Sequence, residues 1–195
     1  MRPKFGAILE VLQIVVLAGL AILITRQFIV LPFIVRGRSM EPSFYENEYL
    51  IVDELSYHFR DPIRGEIVVF RPVPKYREQG AGAESSKEHY IKRVIGLPGE
   101  TVEVKDRRVT IYNEEFPNGT VLSEPYLDEL TPDDSSDYVT LGPDEYYVMG
   151  DNRDKSLDSR VIGPQPRRAI VGRVLVRGLP LDRAEFFLSS PYGQQ

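Results

Sequence analysis

Tyr90-Ile91-Lys92-Arg93-Val94-Ile95-Gly96-Leu97-Pro98-Gly99 reads as a β-strand that runs into a turn. Tyr, Ile and Val suit a pleated, half-buried surface, and Leu-Pro-Gly closes the run. Its centre is unusual, because two cations interrupt a stretch that otherwise looks buried. Period-two alternation puts Lys92 on one face with Tyr90 and Val94, and Arg93 on the other, so at least one of the two cations faces inward. An edge strand guarded by charge and a strand carrying a functional lysine both fit this segment.

On either side, short runs of the same kind recur. They are Tyr49 to Val52, Glu66 to Phe70, Thr101 to Val104, Val109 to Tyr112, Tyr146 to Met149 and Ala169 to Val176. Pro and Gly punctuate them, and after residue 36 no long segment sustains a helical period. The expected fold is mainly β, an antiparallel coiled-sheet or barrel-like domain over residues 28–195. Two loop insertions are expected in it, a Gly/Ala/Ser-rich one at about 75–88 and an acidic, Pro-containing one at about 113–138.

The N-terminus has a different composition. Met1-Arg2-Pro3-Lys4 is basic, and Phe5 to Thr25 is apolar apart from Glu10 and Gln13. As a helix, that stretch covers about 30 Å at about 1.5 Å per residue, the thickness of a hydrocarbon core. The residues that follow, Ile24-Thr25-Arg26-Gln27, offer no small-x-small site for removal of a secretory signal. Residues 1–27 are therefore expected to be a cytoplasmic start and a single N-terminal transmembrane helix. Arg2 and Lys4 favour an N-terminus in the cytoplasm, while Arg26 pulls weakly the other way. Ser39 follows so soon after the anchor that it stays within roughly 40 Å of the bilayer even on an extended chain.

Composition narrows the chemistry. With 195 residues the chain suits one domain plus its insertions. It has no cysteine, which rules out disulfides, thiolate metal sites and a cysteine nucleophile. The two histidines, His58 and His89, lack the spacing of a zinc site and sit in contexts that suggest no catalytic triad. A net charge of −5 gives no electrostatic reason to expect nucleic acid as a partner.

Two further segments stand beside the lysine strand. Gly37-Arg38-Ser39-Met40-Glu41-Pro42 is either an ordinary turn or a turn that presents a hydroxyl together with a backbone N–H. Gly150-Asp151-Asn152-Arg153-Asp154-Lys155-Ser156-Leu157-Asp158-Ser159-Arg160 packs charge and hydroxyl groups directly behind the apolar Tyr147-Val148-Met149. It is too dense for plain solvated surface, and a polar network tying two strands together accounts for part of it.

Taken in order and spacing, these three segments, preceded by a single span, resemble the bacterial type I signal peptidases over essentially the whole chain. The resemblance implies a membrane-bound serine endopeptidase that removes signal peptides from exported preproteins, with Ser39 as nucleophile and Lys92 as general base. It implies Ser156 as a hydroxyl that hydrogen-bonds and orients the lysine, Asp158 and Arg160 as a structural ion pair, and Gly150 as a point of close backbone approach. Some members carry a hydroxyl residue two positions before the nucleophile; here that position is Gly37, which leaves oxyanion stabilisation to backbone N–H groups including that of Ser39. Phe33, Val35, Met40, Phe44 and Ile91 match pocket positions for small side chains at the first and third residues before the cut.

No cofactor or metal is called for. The expected partners are signal-peptide-bearing preproteins and the lipid bilayer, with no nucleic acid, and the expected location is the plasma membrane with the catalytic domain outside. The physical demand falls on Lys92. At an ordinary pKa near 10.4 only about one lysine in a few thousand is neutral at pH 7, so burial must lower it. Two alternatives stand beside this: a self-cleaving repressor with the same dyad, which needs a DNA-binding domain where this chain has an apolar helix, and a non-catalytic anchored β domain, which leaves the combination of Ser39, Lys92 and Asn152-Arg153-Asp154 without a purpose.

Overall fold

Val, Ile and Tyr recur at alternate positions through the predicted strands, so each strand has a face that must be buried. The computed structural model describes residues 10–20, 31–73, 88–127, 136–188 and 192, and in it those faces meet in two antiparallel sheets. The chain enters the larger sheet with β1 (Leu31–Ile34), β2 (Tyr49–Asp53), β3 (Ile67–Phe70) and β4 (Tyr90–Gly96). It leaves for a smaller sheet of β5 (Thr101–Lys105), β6 (Arg108–Tyr112), β7 (Thr120–Val121) and β8 (Asp137–Thr140). It then returns through β9 (Glu145–Met149), β10 (Gln165–Pro166), β11 (Ile170–Leu179) and β12 (Glu185–Phe186).

The larger sheet runs β1-β2-β11-β3-β4-β9-β10, with β12 also on β11, and the smaller runs β7-β6-β5-β8. Register shifts between Ile170 and Gly172 and between Val174 and Val176 let the long strand β11 bend while it pairs with β2 and β3. Pro32 lies in β1, at an edge of the sheet, where its missing N–H is tolerated. The mainly β, curled antiparallel expectation holds.

Three apolar clusters organise the interior. Val35, Met40, Phe44, Leu50, Ile67 and Val174 belong to one, below the β1–β2 connection. Val68, Phe70, Val94, Tyr146 and Val148 fill a second. Val102, Val104, Val109 and Ile111 of the smaller sheet pack on Ile95, Tyr147 and Met149 in the third, which joins the two sheets. β4 takes part in both joints, and this explains its cations: Lys92 and Arg93 are 4% and 5% exposed, so both faces of this strand are interior.

The stretch read as a loop at 113–138 contains β7 and the start of β8. Neither is signalled locally, because their hydrogen bonds come from β6 and β5 across the sheet. Residues 128–135 of that stretch lie outside the described residues, as does the insertion at 75–88 apart from Glu88. Residues 10–20 are helical and expose Val11, Leu12, Ile14, Val15, Val16, Leu17 and Leu20. The remainder of the expected span, residues 5–9 and 21–25, is outside the described residues, and among the described residues no helix is long and apolar enough to cross a membrane.

A buried ion pair stands at the joint between the sheets. Arg64 reaches Glu100 at 2.6 Å and donates to the Ile95 carbonyl, while Glu100 accepts from the Leu97 N–H. Removing one partner of such a pair strands the other charge in a dry site, so Glu100→Ala should cost about 3 kcal/mol of unfolding free energy, measured by urea denaturation. A surface control such as Glu114→Ala should change it by less than about 0.5 kcal/mol.

Candidate active site

Lys92 comes from the centre of β4, with β3 on one side and β9 on the other. Its Nζ donates to Ser39 Oγ at 2.7 Å and to the Ile91 carbonyl at 2.9 Å, and it lies 5.7 Å from the Tyr90 ring centroid. No carboxylate forms an ion pair with it among the described residues. Burial lowers the amine from 10.5 to about 8, against the pull of the Asp158 and Asp151 carboxylates, and the Arg160 guanidinium adds to the lowering. Arg93, the neighbour expected to point away, does so. It is neutralised by Asp151 at 2.8 and 2.6 Å and donates to the Gly65 carbonyl.

Ser39 sits in the connection between β1 and β2. Gly37 adopts φ +79°, a conformation that favours glycine, and so lets the chain turn just before the serine. The Phe44 N–H then donates to the Met40 carbonyl at 2.8 Å and rounds off the turn. The Asn152 N–H donates to the Ser39 carbonyl at 3.0 Å, which ties the turn to the polar segment after β9. A Cβ on Gly150 would collide with that same carbonyl oxygen and with the Ser156 side chain. The expected close approach is therefore present, and glycine is what permits it.

The polar segment is organised around Asp158. Its carboxylate accepts from the Gly150 N–H at 3.0 Å and pairs with Arg160 at 2.8 Å. Burial works to raise this carboxyl, but the Arg160 guanidinium and the Gly150 N–H outweigh it and hold it below its usual value. Arg160 also donates to the Arg153 carbonyl, and Arg153 pairs with Glu124 from the smaller sheet's side. Ser156 behaves differently from expectation. Lys92 Nζ donates to Ser39 and Ile91 instead, and Ser156 Oγ is buried on the Asp158 side, where its hydrogen bond helps to hold the Asp158 carboxyl down.

A cavity of about 580 Å³ opens beside the Ser39–Lys92 contact. Phe33, Val35 and Ile91 are among the residues that line it. Met40 and Phe44 do not, which corrects their reading as pocket residues: they are 1% and 0% exposed and belong to the core beneath, because the turn folds both side chains inward. Leu50, Val69, His89, Tyr90 and Leu157 also line the cavity and were not singled out. His89 could have been found, since it shares a strand face with Ile91 by alternation, and its ring meets Phe33 edge-on at 5.3 Å. Leu50 and Val69 had no local signal, because only the pairing of strands distant in sequence brings them there.

The arrangement joins a hydroxyl, an amine that loses its proton near pH 8, and a cavity with mixed apolar and charged walls in one place. Such a set can form and release an acyl ester without metal or imidazole. Residues 8–179 match the family described as signal peptidase, peptidase S26. The chain is 39% identical over 183 residues to a signal peptidase I of Leptolyngbya laminosa, covering 93% of this chain and 85% of that one. It is 35% identical over 192 residues to signal peptidase I P of Bacillus subtilis subsp. natto, covering 93% and 95%. A solved structure of a signal peptidase I from Enterococcus faecalis V583 is 29% identical, with a TM-score of 0.43, covering 58% of this chain and 97% of that one. With a family match over most of its length and relatives aligned nearly end to end, the chain belongs to the signal peptidase family, peptidase S26, and is a hydrolase.

Proposed function

We propose that this chain is a membrane-bound serine endopeptidase that removes signal peptides from exported preproteins after small-x-small sites. One observation carries the reading: the buried amine of Lys92 stands 2.7 Å from Ser39 Oγ, and both residues line a cavity together with Phe33, Val35 and Ile91. With its proton, Lys92 donates across that contact; without it, the same contact makes the amine an acceptor for the serine proton. At a pKa of about 8, roughly one lysine in ten is already neutral at pH 7, compared with about one in a few thousand for a free side chain.

Ser39 Oγ attacks the scissile carbonyl as Lys92 takes its proton, and the resulting ammonium returns that proton to the leaving amine. An acyl ester on Ser39 remains. Lys92, neutral again, activates a water that hydrolyses the ester and releases the signal peptide. The backbone N–H of Ser39 has no hydrogen-bond partner among the described residues and is available to the oxyanion. Asp158 and Arg160 hold Gly150 and its neighbours rather than react. Phe33, Val35 and Ile91 line the cavity and would form the apolar part of the wall that receives small side chains. The exposed apolar face of residues 10–20 supports a bilayer anchor, with the β domain on the extracytoplasmic side.

Detergent-solubilised protein should cleave an exported precursor after its Ala-x-Ala site. Ser39→Ala and Lys92→Met should each lose at least about a thousandfold in rate while remaining folded. Cleavage surviving either change sinks the dyad. The wild-type kcat/KM should rise about tenfold per pH unit until pH about 8 and then level off, as one amine deprotonates. Lys92 also makes a prediction about stability. Its folded pKa lies below the unfolded one, so the unfolded chain binds the extra proton between pH 8 and 10.5, and wild-type stability rises across that window. Lys92→Met should therefore be more stable than wild type at pH 7, by up to on the order of 3 kcal/mol, with the gain fading toward pH 10.5 in denaturation measured at a series of pH values.

A further inference from the structure

The family match ends at residue 179, yet the chain turns back at Pro180 and lays residues 183–187 against the far side of the nucleophile turn. The Phe187 N–H donates to the Leu175 carbonyl at 2.9 Å, and its ring packs on Phe44, with centroids 5.0 Å apart. Phe44 closes the turn that begins at Ser39, through its hydrogen bond to Met40. The Arg177 guanidinium carbon lies 5.4 Å from the Phe44 centroid and 5.7 Å from that of Phe187, so it lies against both rings. From there it donates to the Ser43 carbonyl at 2.7 Å and the Arg183 carbonyl at 2.6 Å, and reaches Glu185 at 2.5 Å. Arg183 pairs in turn with Glu48 at 2.7 Å, at the end of the same β1–β2 connection.

We propose that this returning segment is a strap that positions the nucleophile: Phe187, through Phe44, and Arg177, through Ser43, fix the Met40–Phe44 turn and with it the orientation of Ser39 toward Lys92. Neither side chain touches the reacting atoms, so both are positioning residues. Their effect rests on the reading of Ser39 as nucleophile. The geometry favours this role over general packing for a specific reason. The Ser39 carbonyl is anchored to Asn152 on the sheet side, while the C-terminal half of the turn meets the strap. With the strap loosened, the turn keeps its Asn152 bond and the Arg93 bond to Ser43 Oγ but loses the Phe187 ring and the hold on the Ser43 carbonyl, so its C-terminal half can shift. A shift of about 1 Å at a reacting atom is enough to cost about a hundredfold in rate.

The test uses the full chain with Phe187→Ala, Phe187→Leu and the milder Glu185→Gln, cleaving an Ala-x-Ala precursor, with hydrogen exchange read at the Phe44 amide. Phe187→Ala should lower kcat about tenfold or more, leave KM within about twofold, and speed Phe44 exchange about tenfold without speeding β3, β4 or β9. Phe187→Leu should restore both quantities to within about threefold, because it refills most of the volume. Glu185→Gln, which removes the nearer of the two carboxylates on Arg177 and leaves Glu48, should move both in the same direction by about twofold to fivefold, and it decides the matter should Phe187→Ala fail to fold. Unchanged kcat per folded molecule, a rise in KM alone, or faster exchange throughout the sheet would each overturn the strap. Failure of the dyad shows up separately, as cleavage by Ser39→Ala; Phe44 exchange in Phe187→Ala then still reports whether the strap holds the turn.

Discussion

An ammonium group kept out of water without a carboxylate beside it is an expensive thing to build, and the larger sheet is arranged around one. Arg64, Arg93, Arg153 and Arg177 are also buried, and each has an acidic partner in Glu100, Asp151, Glu124 or Glu48. Among the described residues Lys92 meets a hydroxyl and a carbonyl and no carboxylate. A partner carboxylate would repay the burial, but it would also hold the proton on the amine and leave no base. Asp158 and Asp151 are close enough to pull on Lys92, yet each is paired with an arginine of its own. The guanidinium groups thus do two jobs: they neutralise the acids, and they keep those acids from neutralising the lysine.

The second constraint is positional. Ser39 must meet an amine that projects from a central strand, so the turn carrying it has to be drawn hard against the sheet. Gly150 makes that possible, because a side chain there would occupy the space of the Ser39 carbonyl. Asn152 supplies the hydrogen bond that holds the turn in place. Gly150 is itself held by Asp158, and Asp158 by Arg160. The dense polar segment after β9 is therefore both a network tying strands together and a device for placing a serine. Ser156 Oγ lies buried inside this network, beside Gly150 and Asp158.

The walls of the cavity follow from the same placement. The cavity is lined by β1, β2, β3 and β4 side chains on one side and by Leu157 of the polar segment on the other, so its walls come from strands far apart in sequence. Met40 and Phe44, which follow Ser39 in sequence, end up in the core beneath it. Proximity along the chain identified the neighbourhood of the site but not its walls.

The amino-acid sequence by itself determined a mainly β fold from the alternation in its strands, a lysine set in a buried-looking strand, a serine in a Gly–Pro turn, and a polar run too dense for surface. These are local properties, set by residue type and spacing over fewer than about a dozen positions. Tertiary structure alone decided that both faces of β4 are interior, that Lys92 loses its counter-ion while Arg93 keeps one, and that Leu50, Val69 and Leu157 share a cavity. It also decided that β7 and β8 are strands at all, since their hydrogen bonds are made across the sheet. The physical reason is the same in each case. Desolvation and charge pairing depend on what is packed against a residue, and in an antiparallel sheet the packing partners come from long-range strand pairing that no local window contains.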